Sequence, residues 1–270
     1  GGMQVPALAL EKLGRASGAR FLFDTPVRKI VAEGGRVRAV RTDGGDIEAD
    51  LVVANADYVH VERDLLEPGQ RSYADRSWER KTVAPSGFIL YLGLSKRLPQ
   101  LLHHNLYFHP DWDRHFGTIF GARRWPEAFS YYVCCPSKTD PSVAPPGSEN
   151  LFFLVPVAPG LDDPDEVREK FAGRVLAHFE SLIGEKIGGS VVVRRIFSHR
   201  DFTGAYNAFQ GSAFGLAHTL LQTAVFRPAH KSRRVEGLYF TGQYTHPGVG
   251  LPMTLISSEV LADRIGGPDA

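Results

Sequence analysis

The sequence predicts an α/β layer interrupted by a second, α+β unit. Three observations predict it. Short strands separated by glycine turns, ending in a continuous apolar run, fill residues 1–57. Longer apolar strands and one strongly periodic helix fill residues 58–200. A strand, a glycine-rich loop and a helix then follow one another within residues 201–270. On this reading 1–57 and 201–270 make one layered domain, and 58–200 is an inserted antiparallel sheet with helices.

The elements follow in order. Val5, Leu8, Ala9 and Leu13 sit at helical spacing, and Gly14 to Gly18 stop that helix. Phe21-Leu22-Phe23 reads as a short strand, and Val27 to Ala32 as a second. Gly34-Gly35 turns the chain into a return strand through Val37 and Ala39, and Gly44-Gly45 turns it again before Ile47. Leu51-Val52-Val53-Ala54 is apolar at every position, as in a strand buried on both faces. Tyr58 to Leu66 is helical, and Ser86 to Leu94 is a strand. His103 to Phe120 has no clean periodicity. Phe129 to Cys135 and Leu151 to Val157 are strands, separated by a loop rich in Pro and Ser. Asp162-Asp163-Pro164 caps a helix that places Val167, Phe171, Val175, Leu176 and Phe179 on one face. Val191 to Phe197 and Leu238 to Thr241 are strands, and Pro252 to Ile265 is a helix stopped by Gly266-Gly267-Pro268.

Composition narrows the function classes. The 270 residues are 43% apolar, 11% aromatic and 23% charged, as in an ordinary folded chain. Lysine plus arginine number 31 against 30 acids, a net charge of +1, which argues against a nucleic-acid binder that must displace counterions. No apolar run reaches the ~18–20 residues of a membrane span. The two cysteines, Cys134 and Cys135, are adjacent; they are too few for a disulfide framework and read as strand residues in a reduced, cytoplasmic setting. No spacing of His, Cys or acids suggests a metal, so none is expected.

The strongest local signal is Gly237 to Met253. A strand ends at Gly242, a loop carries Thr245-His246-Pro247-Gly248-Val249-Gly250, and a helix begins near Leu251-Pro252-Met253. Gly242, Gly248 and Gly250 have no side chains, so a ligand can approach the backbone there. The helix start offers unpaired N–H groups and partial positive charge to an electron-rich group. His246 is the candidate acid/base of the loop, because imidazole titrates in the right range.

Three segments resemble the C-terminal half of the phytoene (carotenoid) desaturase family, within the FAD-dependent amine-oxidase-like flavoproteins. They are Gly237–Met253; Gly211-Ser212-Ala213-Phe214-Gly215-Leu216 running through Gln222 to Phe226-Arg227-Pro228; and Thr25–Ile30 together with Leu51–Asp57. The resemblance implies a partial FAD-binding Rossmann-like domain whose GxGxxG half is absent, with the insert as substrate domain. The opening Gly1-Gly2-Met3 fits the same expectation of a fragment, inactive on its own. By resemblance, Gly242, Gln243, Gly248, Gly250, Leu251, Pro252 and Met253 contact the flavin, and Val27 contacts the adenine. Gln243 stands where amine-oxidase relatives usually carry an acid.

The activity implied is desaturation of a long isoprenoid or carotenoid polyene such as phytoene, with hydride passing to FAD. The insert would supply an apolar tunnel from Phe88, Leu90, Leu92, Phe129, Tyr131, Phe152 and Leu154. His199, Arg200 and Asp201 read as a charged surface turn. Peripheral membrane contact is expected from so apolar a substrate. A carotenoid isomerase, an amine oxidase of the same fold and a non-enzymatic prenyl-binding escort are the alternatives.

Overall fold

The fold is described from a computed structural model, which covers residues 2–266. Helix α1 (Gln4–Ala16) buries none of its residues, and Val5, Leu8, Leu10 and Leu13 are at least half exposed. The expected strand at Phe21–Phe23 does not form. Instead the chain folds back on the end of α1, with Phe21 against Gly14 and under the Arg15 guanidinium at 4.7 Å.

Strands β1 (Val27–Glu33), β2 (Arg36–Thr42) and β3 (Gly45–Glu48) form the antiparallel meander that the glycine pairs predict. Strand β4 (Val52–Ala54) lies parallel to β10 (Leu238–Phe240), far along the chain. Its burial is less than the apolar run predicts: Leu51 is 37% and Val53 44% exposed. The parallel pair has no third strand among the described residues, so one side of β4 lacks cover.

Two short helices follow, α2 (Tyr58–His60), continued by a π turn over Val61–Leu65, and α3 (Asp75–Glu79). They send Tyr58, Val59, Val61, Leu65 and Trp78 into a cluster with Ile30, Val37 and Leu216. The boundary expected after residue 57 therefore cuts through a packed core. The apolar faces of α2 and α3 have their partners in the meander.

A five-stranded antiparallel sheet forms the second core, in the order β6-β7-β8-β5-β9. Its strands are β5 (Ser86–Leu94), β6 (His104–Tyr107), β7 (Tyr131–Cys134), β8 (Glu149–Val157) and β9 (Val191–Phe197). Helix α4 (Trp112–Phe116) lies between β6 and β7 in sequence. Helix α5 (Asp165–Ile183) packs Phe171, Val175 and Phe179 on one sheet face. Phe171 meets Phe88 edge to face at 4.8 Å, and Phe179 meets Phe153 at 4.9 Å.

This packing splits the predicted tunnel set. Phe88, Leu90, Leu92, Phe129 and Tyr131 belong to the core under α5, and of these only Leu92 also borders a cavity on the other face. Phe152 and Leu154 point to the other face, because successive strand residues alternate. That second face carries Tyr91 opposite Phe152, Cys134 opposite Phe152, Tyr132 opposite Leu154, and Gly93 opposite Val193.

The chain then runs through α6 (His199–Tyr206), β10 (Leu238–Phe240) and α7 (Leu251–Gly266). The expected α7 stop at Gly267-Pro268 lies outside the described residues. His199, predicted on the surface, is buried: its Nε2 lies 2.7 Å from the Ala158 carbonyl. Asp201 and Arg200 are tied to α5, by Arg168 at 2.7 Å and by Asp165.

Candidate cofactor and substrate site

The loop between β10 and α7 is held from inside the protein. Ser257 of α7 is fully buried and binds three loop groups: the Thr245 hydroxyl at 2.9 Å, the Thr241 hydroxyl at 3.1 Å and the Gly242 N–H at 3.2 Å. This hydroxyl cluster ties the strand end to the middle of the helix.

Arg227 holds the same loop from the other side. Its guanidinium is buried and donates to the carbonyls of Gln243 (2.5 Å), Thr245 (3.0 Å), Tyr244 (3.1 Å) and Gln222 (3.0 Å). All four acceptors are neutral, and no ion pair to Arg227 occurs among the described residues. Burial pushes its pKa down from the ordinary arginine value, yet a guanidinium stays protonated in proteins. A fixed positive charge therefore sits directly under the loop. Gln222, also buried, spans onward to the backbone of Thr82 and Ala217.

His230 bridges the Phe240 and His246 carbonyls at 3.0 and 3.1 Å. Asp57 is the other buried polar anchor. It caps α2 through the Val59 and His60 N–H groups and accepts from the Tyr244 hydroxyl at 2.7 Å. Burial raises the Asp57 carboxyl above its usual range and pushes the Tyr244 phenol up as well.

The loop glycines have different neighbours. A Cβ on Gly242 would lie 2.5 Å from the Asn55 side-chain oxygen, and one on Gly248 2.4 Å from the His218 ring. Both positions also have φ above +100°. The chain's own residues thus already require glycine there. Gly250 is open, with Met253 its nearest neighbour at 3.7 Å.

A cavity of about 570 Å³ opens beside the loop, lined among others by Asn55, Asp57, Tyr206, Gly242, Gln243 and Thr254. Of the predicted site residues, the structure brings Gly242 and Gln243 to this wall. Gly248, Gly250, Leu251, Pro252 and Met253 form the outer loop and first turn of α7, just before Thr254. His246 is exposed and off the wall. Val27 is at the start of the meander, paired with Thr42 and away from the cavity wall. Asp57, Arg227 and Ser257 complete the arrangement. No local pattern marks Ser257 or Asp57, and Arg227 is set apart in sequence only by the Pro that follows it.

A second cavity, of about 670 Å³, lies on the sheet face away from α5. Its lining is mainly apolar and includes Tyr91, Tyr132, Cys134, Phe152, Val192 and Val193.

The family described as flavin containing amine oxidoreductase matches residues 1–266. A carotenoid 3,4-desaturase from Haloarcula japonica is 45% identical over 267 residues, covering 98% of this chain and 54% of the relative. A zeta-carotene-forming phytoene desaturase from Myxococcus xanthus is 40% identical over 273 residues, covering 98% of this chain and 52% of the relative. The chain thus spans about half the length of these curated relatives. Among solved structures, an oxidoreductase from Methanosarcina mazei superposes with a TM-score of 0.60 at 17% identity, over 94% of this chain and 52% of that one. That likeness concerns the fold alone. By the family match and the identity to curated desaturases, the chain belongs to the flavin-containing amine oxidoreductases, as its resemblance to the phytoene desaturases implies.

Proposed function

We propose that the protein removes two hydrogens from a C–C bond of a long isoprenoid polyene, a carotenoid such as phytoene, with FAD as acceptor. The observation that carries this reading is the open apolar sheet face, where Tyr91, Tyr132, Phe152 and Val193 border a cavity of about 670 Å³. A hydrocarbon offers no hydrogen bonds, so its site must be apolar and shaped. The desaturase relatives support the same substrate class.

The residues beside the loop fit a flavin. Gln243 and Thr254 bring side chains able to hydrogen-bond a polar ring edge or a hydroxyl to one wall. Arg227 and the start of α7 make that wall electropositive, and a preorganised positive field favours charge that develops nearby. FAD, when bound, supplies the two-electron chemistry. Arg227 holds the carbonyls of Gln243, Tyr244 and Thr245 in place, and Ser257 fixes the strand end, so the wall is rigid before any ligand arrives. The amine-oxidase alternative asks for an aromatic cage. Tyr244 lines the cavity, but its hydroxyl is held by Asp57 and its ring is largely buried, so it does not stand free as a cage wall.

In this reading β4, β10 and α7 belong to a Rossmann-like FAD-binding layer, and the five-stranded sheet with α5 is the substrate domain. The enzyme works at a membrane surface on the cytoplasmic side, because its substrate dissolves in lipid. An exposed ladder of stacked rings supports that contact: Phe108, Trp112, Phe116 and Phe120, with centroids 5.1, 5.9 and 6.3 Å apart. Aromatic residues favour the bilayer interface.

The test supplies phytoene or a partly desaturated carotenoid in liposomes to the full-length protein with FAD, and reads products by chromatography and mass. A product two mass units lighter per step is expected. It should drop at least several-fold in Phe152→Asp, which places a charge on the apolar floor. A product of unchanged mass would make the protein an isomerase, and oxidation of an amine would overturn the substrate class.

A further inference from the structure

The sequence spacing suggests no metal site, yet the fold brings three candidate ligand groups together. Strands β6 and β7 are antiparallel, and their register sets His104 directly opposite Cys134. His103 precedes His104, and the two imidazole centroids are 4.2 Å apart. One ligand atom from each of His103, His104 and Cys134 lies within 4.8 Å of the others. We propose that His103, His104 and Cys134 form a binding site for a borderline-soft divalent cation, Zn²⁺, at the rim of the apolar sheet cavity.

The donor chemistry selects this class of ion. Two imidazoles and one thiolate match zinc, whereas magnesium and calcium take oxygen ligands. In a tetrahedral shell with bonds of about 2.0–2.3 Å the ligand atoms stand roughly 3.5 Å apart, so small side-chain rotations close the site. Both rings are already oriented from outside the triad. A hydroxyl sits 2.6 Å from Nδ1 of each, Thr139 on His103 and Tyr132 on His104. Such outer partners are what fixes the facing of a ligating histidine. The neighbouring thiol of Cys135 is excluded, because it is fully buried on the other face with Ser137 and Glu149.

Binding exchanges the Cys134 thiol proton for the metal: one S–H bond breaks, one S–Zn bond forms, and one proton is released to solvent. The fourth position is left to water. Cys134 and Tyr132 also line the cavity of about 670 Å³, so the ion would clamp edge strand β6 onto β7 at that cavity's mouth. This site stands independently of the redox reading, since no flavin or carotenoid enters the argument.

The experiment titrates the chelator-stripped full-length protein with Co²⁺ as a spectroscopic stand-in for Zn²⁺. A sulfur-to-cobalt charge-transfer band is expected, saturating at one equivalent and bleached by Zn²⁺. It should vanish in Cys134→Ser, persist in Cys135→Ser, and need about tenfold or more Co²⁺ in His104→Gln. Thermal melting of each variant separates loss of ligand from loss of fold. No band in the wild-type protein, or a band that survives in a folded Cys134→Ser protein, overturns the site.

Discussion

Arg227 is the residue on which the loop between β10 and α7 depends most. Its guanidinium is the donor for four backbone carbonyls, three of them in the loop itself. Replacing it with Met leaves those buried acceptors unpaired, so a loss of about 3 kcal/mol in urea unfolding is expected, with Lys restoring only part. His199 gives the pH dependence. It is buried, with Nε2 on the Ala158 carbonyl and Nδ1 on Ser198, and desolvation lowers its pKa, opposed by Asp163 and aided by Arg168. The folded state therefore holds His199 neutral while the unfolded chain binds a proton below about pH 6.5. Its contribution is complete above that pH and is lost on acidification, by at most ~1.4 kcal/mol per pH unit. His199→Gln should flatten the acid side of a melting-temperature profile, and an unchanged slope would show that other groups set it. The Arg227-Pro228 pair stands out in the sequence, but the buried role of His199 was not legible there. A histidine in His199-Arg200-Asp201 looks solvated until the long-range packing of Ala158 over it is known.

Most elements were legible because their signals are local. The glycine pairs at 34–35 and 44–45 turn the meander, and the α5 stripe of Phe171, Val175 and Phe179 is the buried one. The failures are equally physical. Phe21–Phe23 has strand-forming residues but no strand beside it, and ring contacts with Arg15 take its place. In the five-stranded sheet both faces are apolar, so alternation gives the two sets of residues without saying which set α5 covers. That is why the sequence groups Phe88 with Phe152, although the two lie on opposite faces. The covering helix can be tested directly. Phe171→Ala removes a ring packed against Phe88, Trp125 and Phe129, and should cost about 3–5 kcal/mol in denaturant unfolding. A cost under about 1 kcal/mol would mean that α5 is not the lid of this core.

At the scale of the whole molecule, two cores divide the work. One joins the meander, α2, α3 and β10, and backs the loop between β10 and α7; the other joins α5 to the large sheet. The strand–glycine–helix segment announced the first site in sequence, since its residues are contiguous. The second site, the open sheet face, exists only once strands far apart in sequence pair, so its lining was only half legible. Among the described residues no helix is long and apolar enough to cross a membrane. The cavity bounded by Gly242, Gln243 and Thr254 is proposed to seat the flavin ring. The most direct measurement is the flavin absorbance of full-length protein purified as wild type and as Gln243→Trp. Bound FAD is expected in the wild type, with an affinity lower by about tenfold or more in the variant, because forcing a large ring into occupied space costs on the order of 1–3 kcal/mol. Equal flavin content in a folded Gln243→Trp protein would contradict it.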